Sequence, residues 1–208
     1  MRPILATGFT PFAGLDDNPS AIVVADLATG VPGAAVETLL LDVVWATAAG
    51  ALTAAIDRLR PAAVVCFGLA RGRDAVNLER FAVNVDDSPT ADNAGALRRG
   101  LPIRPDGPAA YGSTLPLEAL GRALDGEGLA WRFSNHAGAF LCNHVFYAVR
   151  HHLAATAPTV PAGFVHLPPL PPEAGAMAAA DQCRAARCIV GALAREIGAA
   201  DAGHRLAG

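Results

Sequence analysis

I-L-A-T-G-F-T-P-F-A-G-L-D-D-N-P-S-A-I-V-V-A-D-L, residues 4–27, reads as one strand–loop–helix unit. Residues 4–8 form a short apolar run of the kind that a buried strand carries. Asn18-Pro19 then offers an N-cap followed by proline at the first helical position, which predicts a helix through Leu27. The same grammar continues along the chain. Residues 36–43 predict a strand, and Trp45, Ala49, Leu52, Ile56 and Leu59 mark the inner face of a second helix. Residues 63–68 predict a third strand. Residues 76–85 alternate apolar and polar with one slip of phase, which predicts a bent or bulged strand. Residues 117–124 predict a helix and 129–133 a strand. A last helix over 174–197 would bury Val190, Leu193, Ala194 and Ile197. Strands alternating with helices in this way predict a single-domain α/β/α sandwich over 1–208, a central twisted sheet covered by helices on both faces. Residues 86–111, with Pro89, Pro102, Pro105 and Pro108, predict a long irregular excursion, a kind of segment that is often functional.

Composition narrows the chemistry. The chain has 208 residues, 52% hydrophobic and 17% charged, enough to bury a substantial core. A formal charge of −3 leaves no basic footprint for nucleic acid. No apolar run approaches the roughly 20 residues of a membrane helix. The opening M-R-P-I-L-A-T-G-F is too short in its apolar part for a signal peptide, so a cytoplasmic protein is expected. All 16 basic residues are arginine. That excludes a lysine Schiff base, a lysine nucleophile and a P-loop lysine.

Cys142 carries the strongest chemical signal. In S-N-H-A-G-A-F-L-C-N-H-V-F-Y a small-residue turn (Ala137, Gly138, Ala139) leads into an amphipathic run with Val145, Phe146, Val149 and Leu153 on one face. The thiol therefore stands near a helix N-terminus, where free N–H groups and the helix dipole favour a thiolate. His166, in A-G-F-V-H-L-P-P, ends an apolar strand. Strand ends such as Gly8-Phe9, 68–73 and His166-Leu167 are where open α/β sheets bind ligands. A thiol and an imidazole are the two parts of an activated cysteine nucleophile, and a third group is needed to orient the ring. Glu79, in V-N-L-E-R-F-A-V-N, is the candidate: a carboxylate in an apolar segment is costly unless paired. A plain salt bridge to Arg80 or Arg73 explains it equally well. Cys66 reads as a core residue, and Cys183 and Cys188 as packing residues. Cys142 with His144 lacks the spacing of a zinc pair, and no metal or cofactor is expected.

Five blocks, taken together and in order, resemble pyroglutamyl peptidase I, the pyrrolidone-carboxylate peptidase family. They are T-G-F-T-P-F-A-G with N-P-S, G-L-A-R-G-R with L-E-R-F-A-V-N, P-D-G-P-A-A-Y-G-S-T-L-P, A-G-A-F-L-C-N-H-V-F-Y and G-F-V-H-L-P-P-L-P. The resemblance implies a cysteine peptidase that removes N-terminal pyroglutamyl residues from peptides. It implies Cys142 as nucleophile, His166 as general base and acid, and Glu79 as the orienting carboxylate. It also implies Phe9 and Phe12 stacked on the lactam ring, with Asn18, Leu69 and Leu141 in the pocket, and a homodimer or homotetramer. Two departures stand out. Pro89 occupies the place of the family's arginine in A-R-I-P-D-N, which helps hold the oxyanion. Ala139 stands where threonine is usual. The first departure gives the alternative of a catalytically impaired homologue that binds pyroglutamyl-type ligands.

Overall fold

The computed structural model describes residues 2–206. Its main sheet has six strands: β1 (Ile4–Phe9), β2 (Val36–Leu41), β3 (Ala63–Leu69), β4 (Val76–Glu79), β7 (Trp131–Ser134) and β8 (Ala162–Leu167). A separate two-stranded ribbon joins β5 (Phe81–Val83) to β6 (Ala110–Gly112). The helices are α1 (Pro19–Leu27), α2 (Ala48–Leu59), α3 (Leu117–Gly126), α4 (Leu141–Thr156) and α5 (Ala179–Leu206). The main sheet runs β2-β1-β3-β8-β4-β7. Every neighbouring pair is parallel except β8 with β4.

The central strands β1, β3 and β8 are buried along their whole length. Continuous apolar runs suit them because both of their faces are covered. On one face Val23 and Leu27 of α1, Leu120 and Leu124 of α3, and Ile189, Val190 and Leu193 of α5 form one core. On the other, Leu52 and Ile56 of α2 pack with Val145, Phe146, Val149 and Leu153 of α4. Helices on both faces make the expected α/β/α sandwich. The start of α1 is set as its sequence implies: Asn18 Oδ1 accepts from the Ser20 amide at 3.0 Å, with Pro19 at N1. Gly8 gives the first turn of α1 its close approach to β1, since a side chain there would collide with the Ser20 carbonyl.

Two expectations are corrected. Residues 76–85 are not one bent strand. The chain leaves the main sheet at Arg80 and re-pairs β5 with β6, so the slip of phase marks a change of sheet. The last helix begins at Ala179 rather than at Ala174 and continues to Leu206. The 86–111 excursion is held by an Asp86–Leu101 bridge, and its final two residues already belong to β6. No helix among the described residues is long and apolar enough to cross a membrane.

Candidate active site

Three elements of the α2/α4 face bring Cys142, His166 and Glu79 together. His166 lies on β8 opposite Asn77 of the antiparallel β4. Glu79, two residues further along β4, projects from the same face and reaches the ring diagonally. His166 Nδ1 and Glu79 Oε1 are 2.7 Å apart, and both side chains are buried. The same oxygen accepts from Arg73 Nη1 at 2.8 Å. Glu79 thus has both the histidine and an arginine partner. The other arginine candidate, Arg80, lies outside with its guanidinium 4.2 Å over the Phe133 ring.

Cys142 occupies the first turn of α4, after Phe140, and no side chain caps that helix end. The backbone N–H groups of the first turn are therefore free of a side-chain acceptor. Gly68 of β3, the register partner of His166, leaves the space for the thiol. A methyl at Gly68 would lie 2.9 Å from Cys142 Sγ and 2.7 Å from Phe164 Cζ. Phe164 in turn packs 4.8 Å from the His166 ring, centroid to centroid.

Burial dominates the electrostatics. It pushes the Glu79 carboxyl up, but the His166 hydrogen bond and charge, Ser134 and the Arg73 charge together outweigh it and hold the group below its ordinary 4.5. Burial draws His166 below its ordinary 6.5, against the bond and charge of Glu79 and with help from Arg73. Burial, the Glu79 charge and Cys66 raise the Cys142 thiol to about 12. These shifts favour a neutral thiol, a neutral imidazole and an ionised carboxylate. The shift of Cys142 runs opposite to the one that the helix terminus favours. A helix dipole contributes ~0.3–1 kcal/mol, less than the ~1.4 kcal/mol of a single pKa unit. Burial next to a carboxylate moves the thiol much further, in the opposite direction.

Phe9, Phe12, Asn18, Leu69, Leu141 and Cys142 line one narrow cleft. Val43 and Phe140 line it too, and neither was singled out in the sequence. Phe9 leans on Phe164 below the cleft, whereas Phe12 packs against Phe140 with centroids 5.9 Å apart. Asn18 serves both as the α1 cap and as a wall, donating from Nδ2 to the Thr10 carbonyl at 3.2 Å. The excursion braces this wall: the Asn93 amide donates to the Val43 carbonyl, and Asn93 Nδ2 to that of Pro11, each at 2.9 Å.

His144 is engaged by a carboxylate. Its Nδ1 pairs with the fully buried Asp86 at 2.9 Å, and Asp86 also takes Arg98 at 2.5 Å. Among the described residues no three metal-binding side chains gather. Pro89 is exposed beside a turn in which Ser88 Oγ meets both the amide and the carbonyl of Thr90. The nearby guanidinium groups are engaged: Arg71 with Glu173, Arg73 with Glu79 and the His136 carbonyl, and Arg98 with Asp86 beneath its contact to Trp45.

Residues 2–200 match the family model described as pyroglutamyl peptidase. The pyrrolidone-carboxylate peptidase of Gloeobacter violaceus is 43% identical over 172 residues, covering 82% of this chain and 83% of that protein. Its counterpart from Pseudomonas fluorescens is 44% identical over 176 residues, covering 83% and 81%. The crystal structure of pyroglutamyl peptidase I from Bacillus amyloliquefaciens superposes with a TM-score of 0.88 at 30% identity, covering 94% of this chain and 98% of that one. A mutant pyrrolidone carboxyl peptidase from Pyrococcus furiosus also gives 0.88, at 32% identity, covering 93% and 99%.

Proposed function

The chain belongs to the pyroglutamyl peptidase family, and we propose that it removes N-terminal pyroglutamyl residues from peptides with Cys142 as nucleophile, His166 as base and acid, and Glu79 as orienter. The observation that carries the reading is the buried 2.7 Å bond between His166 Nδ1 and Glu79 Oε1, next to a thiol packed over Gly68. An ionised Glu79 fixes the ring proton on Nδ1, which leaves the Nε2 lone pair to act as base. Because the resting thiol is protonated, the proton passes to His166 as the sulfur attacks the pyroglutamyl carbonyl. The new imidazolium is then stabilised by Glu79 and donates its proton to the leaving amine. Water, deprotonated by the same ring, releases pyroglutamate from the thioester. Negative charge on the carbonyl oxygen would be met by the uncapped N–H groups at the start of α4. A pyroglutamyl residue has no free amine. A mainly apolar cleft of Phe9, Phe12, Phe140, Val43 and Leu141, with few polar groups, suits its flat lactam.

One observation favours a second reading. Pro89 stands where the family carries an arginine, so a ligand-binding homologue with little turnover is the alternative. A single experiment separates the two: release of coumarin from a pyroglutamyl coumarin amide by the purified, reduced protein. Turnover that disappears in Cys142→Ser supports the peptidase. A folded protein that binds pyroglutamate but releases nothing overturns it.

A further inference from the structure

We infer that Arg73 is a positioning residue of this site, fastening the carboxylate that orients His166 to the loop that delivers the nucleophile. The inference rests on the roles proposed above for Cys142, His166 and Glu79. Arg73 lies in the connection between β3 and β4, just after Gly72, which has a φ of 80°. That conformation is easy for glycine and strained for other residues. Two nitrogens of one guanidinium are used in different directions. Nη1 donates to Glu79 Oε1 at 2.8 Å, the same oxygen that meets His166 Nδ1 at 2.7 Å. Nη2 donates to the carbonyl of His136 at 2.9 Å. His136 opens the segment that runs through Gly138 into Cys142, and its own Nδ1 accepts from the Gly138 amide at 2.9 Å.

Arg73 therefore spans the two halves of the machinery, the β4 carboxylate and the α4 entrance. The other oxygen of Glu79, Oε2, is buried and has no hydrogen-bond partner. Without Arg73, Glu79 would keep the His166 bond and only the weaker help of Ser134, too little to hold a fully buried carboxylate ionised and aimed. Lysine cannot replace it fully, because a point charge lacks the forked geometry that serves two acceptors at once. The ionisable groups around this guanidinium are Glu79 on β4, His166 on β8, Cys142 on α4 and His136 on the loop. Asp74, its chain neighbour, is turned to Arg132 at 2.9 Å.

The test measures kcat and KM against pH, with a pyroglutamyl coumarin amide, for the parent, Arg73→Met, Arg73→Lys, Glu79→Gln and the Met/Gln double variant. Arg73→Met should lower kcat about 10-fold with little change in KM, since a group misplaced by less than 1 Å costs about this much. It should also move the acid limb of the kcat profile to higher pH, because a positive charge that opposes protonation of Glu79 and His166 is gone. Arg73→Lys should restore the limb but only part of kcat. The double variant should be no worse than Glu79→Gln alone, as expected of groups acting as one unit. A folded Arg73→Met with parental kcat and acid limb overturns the inference, and so do additive losses in the double variant. Should Arg73→Met fail to fold by circular dichroism, Arg73→Lys decides. A parental kcat then overturns the inference, and a lowered kcat on an unmoved limb supports it. Full activity in Glu79→Gln would remove the proposed triad itself. An inert Arg73 beside a crippled Glu79→Gln would remove this inference alone.

Discussion

Gly68→Ala adds one methyl group at the point where β3, Phe164 and the Cys142 thiol meet. The new carbon would lie 2.9 Å from Sγ and 2.7 Å from Phe164 Cζ, where ordinary contacts begin at 3.4 Å. The sulfur must yield by about 0.5 Å, and the ring or the β3 backbone by about 0.7 Å. Phe164 has no room to do so: it is fully buried between Phe9, Phe146 and His166. The sulfur borders the cleft and is the atom that moves. A misplacement of 1 Å costs about 10²-fold in rate, so a shift near half of that predicts a kcat loss of about 10-fold, reaching 10²-fold if the helix start moves with the sulfur. Overpacking of this size should also cost ~1–3 kcal/mol of stability. The assays are kcat on a pyroglutamyl coumarin amide, the iodoacetamide labelling rate of Cys142, and thermal melting. A variant that melts lower yet keeps parental kcat and labelling would show that the thiol does not sit over Gly68. A variant unchanged in all three would refute the packing itself.

Three further outcomes are expected. Iodoacetamide labelling of Cys142 in the free protein should rise steadily from pH 7 past pH 9, as burial holds the thiol near 12, while the fully buried Cys66 stays unlabelled until unfolding; a plateau below pH 8 would indicate a resting thiolate. His166 and Glu79 are held below their ordinary 6.5 and 4.5 in the folded chain, so the unfolded chain takes up protons first. Their stabilisation is full above pH 6.5 and is lost as pH falls through the folded values, and melting temperature should drop from pH 7 toward 4; a rise over that range contradicts the assignment. Pro89→Arg should raise kcat about 10-fold with KM nearly unchanged, because a donor to the oxyanion acts mainly in the transition state; an unchanged kcat in a folded variant would mean that the α4 N–H groups suffice.

Local signals were the legible ones. Asn18-Pro19 announced α1 because a cap and its proline act within one turn, and the apolar runs of β1, β3 and β8 announced central strands because burial on both faces removes any alternation. The small-residue turn before Cys142 announced the start of α4. What escaped the sequence depended on register between distant strands. Nothing local says that Gly68 lies opposite His166, that Glu79 reaches that ring from an antiparallel neighbour, or that Asp86 pairs with His144 across 58 residues. The alternation of residues 76–85 keeps the same period on both sides of its slip, because each half obeys that period in a different sheet. The upward shift of the Cys142 thiol escaped the sequence for a related reason. A helix terminus can be read from sequence, whereas the burial that outweighs it cannot.

The neutral resting thiol has a consequence for oxidative damage. Peroxides attack thiolates, and susceptibility follows thiolate character and exposure. A nucleophile kept protonated by burial beside Glu79 offers them little while the cleft is empty. On the mechanism proposed above, the sulfur becomes strongly nucleophilic only as His166 accepts its proton. On that mechanism a substrate carbonyl would by then lie within bonding distance and cover the sulfur. An arrangement that delays ionisation would thus confine the reactive form of Cys142 to the interval in which substrate covers it, so that the chain should hold its activity in aerated solution longer than a cysteine enzyme that rests as an open ion pair.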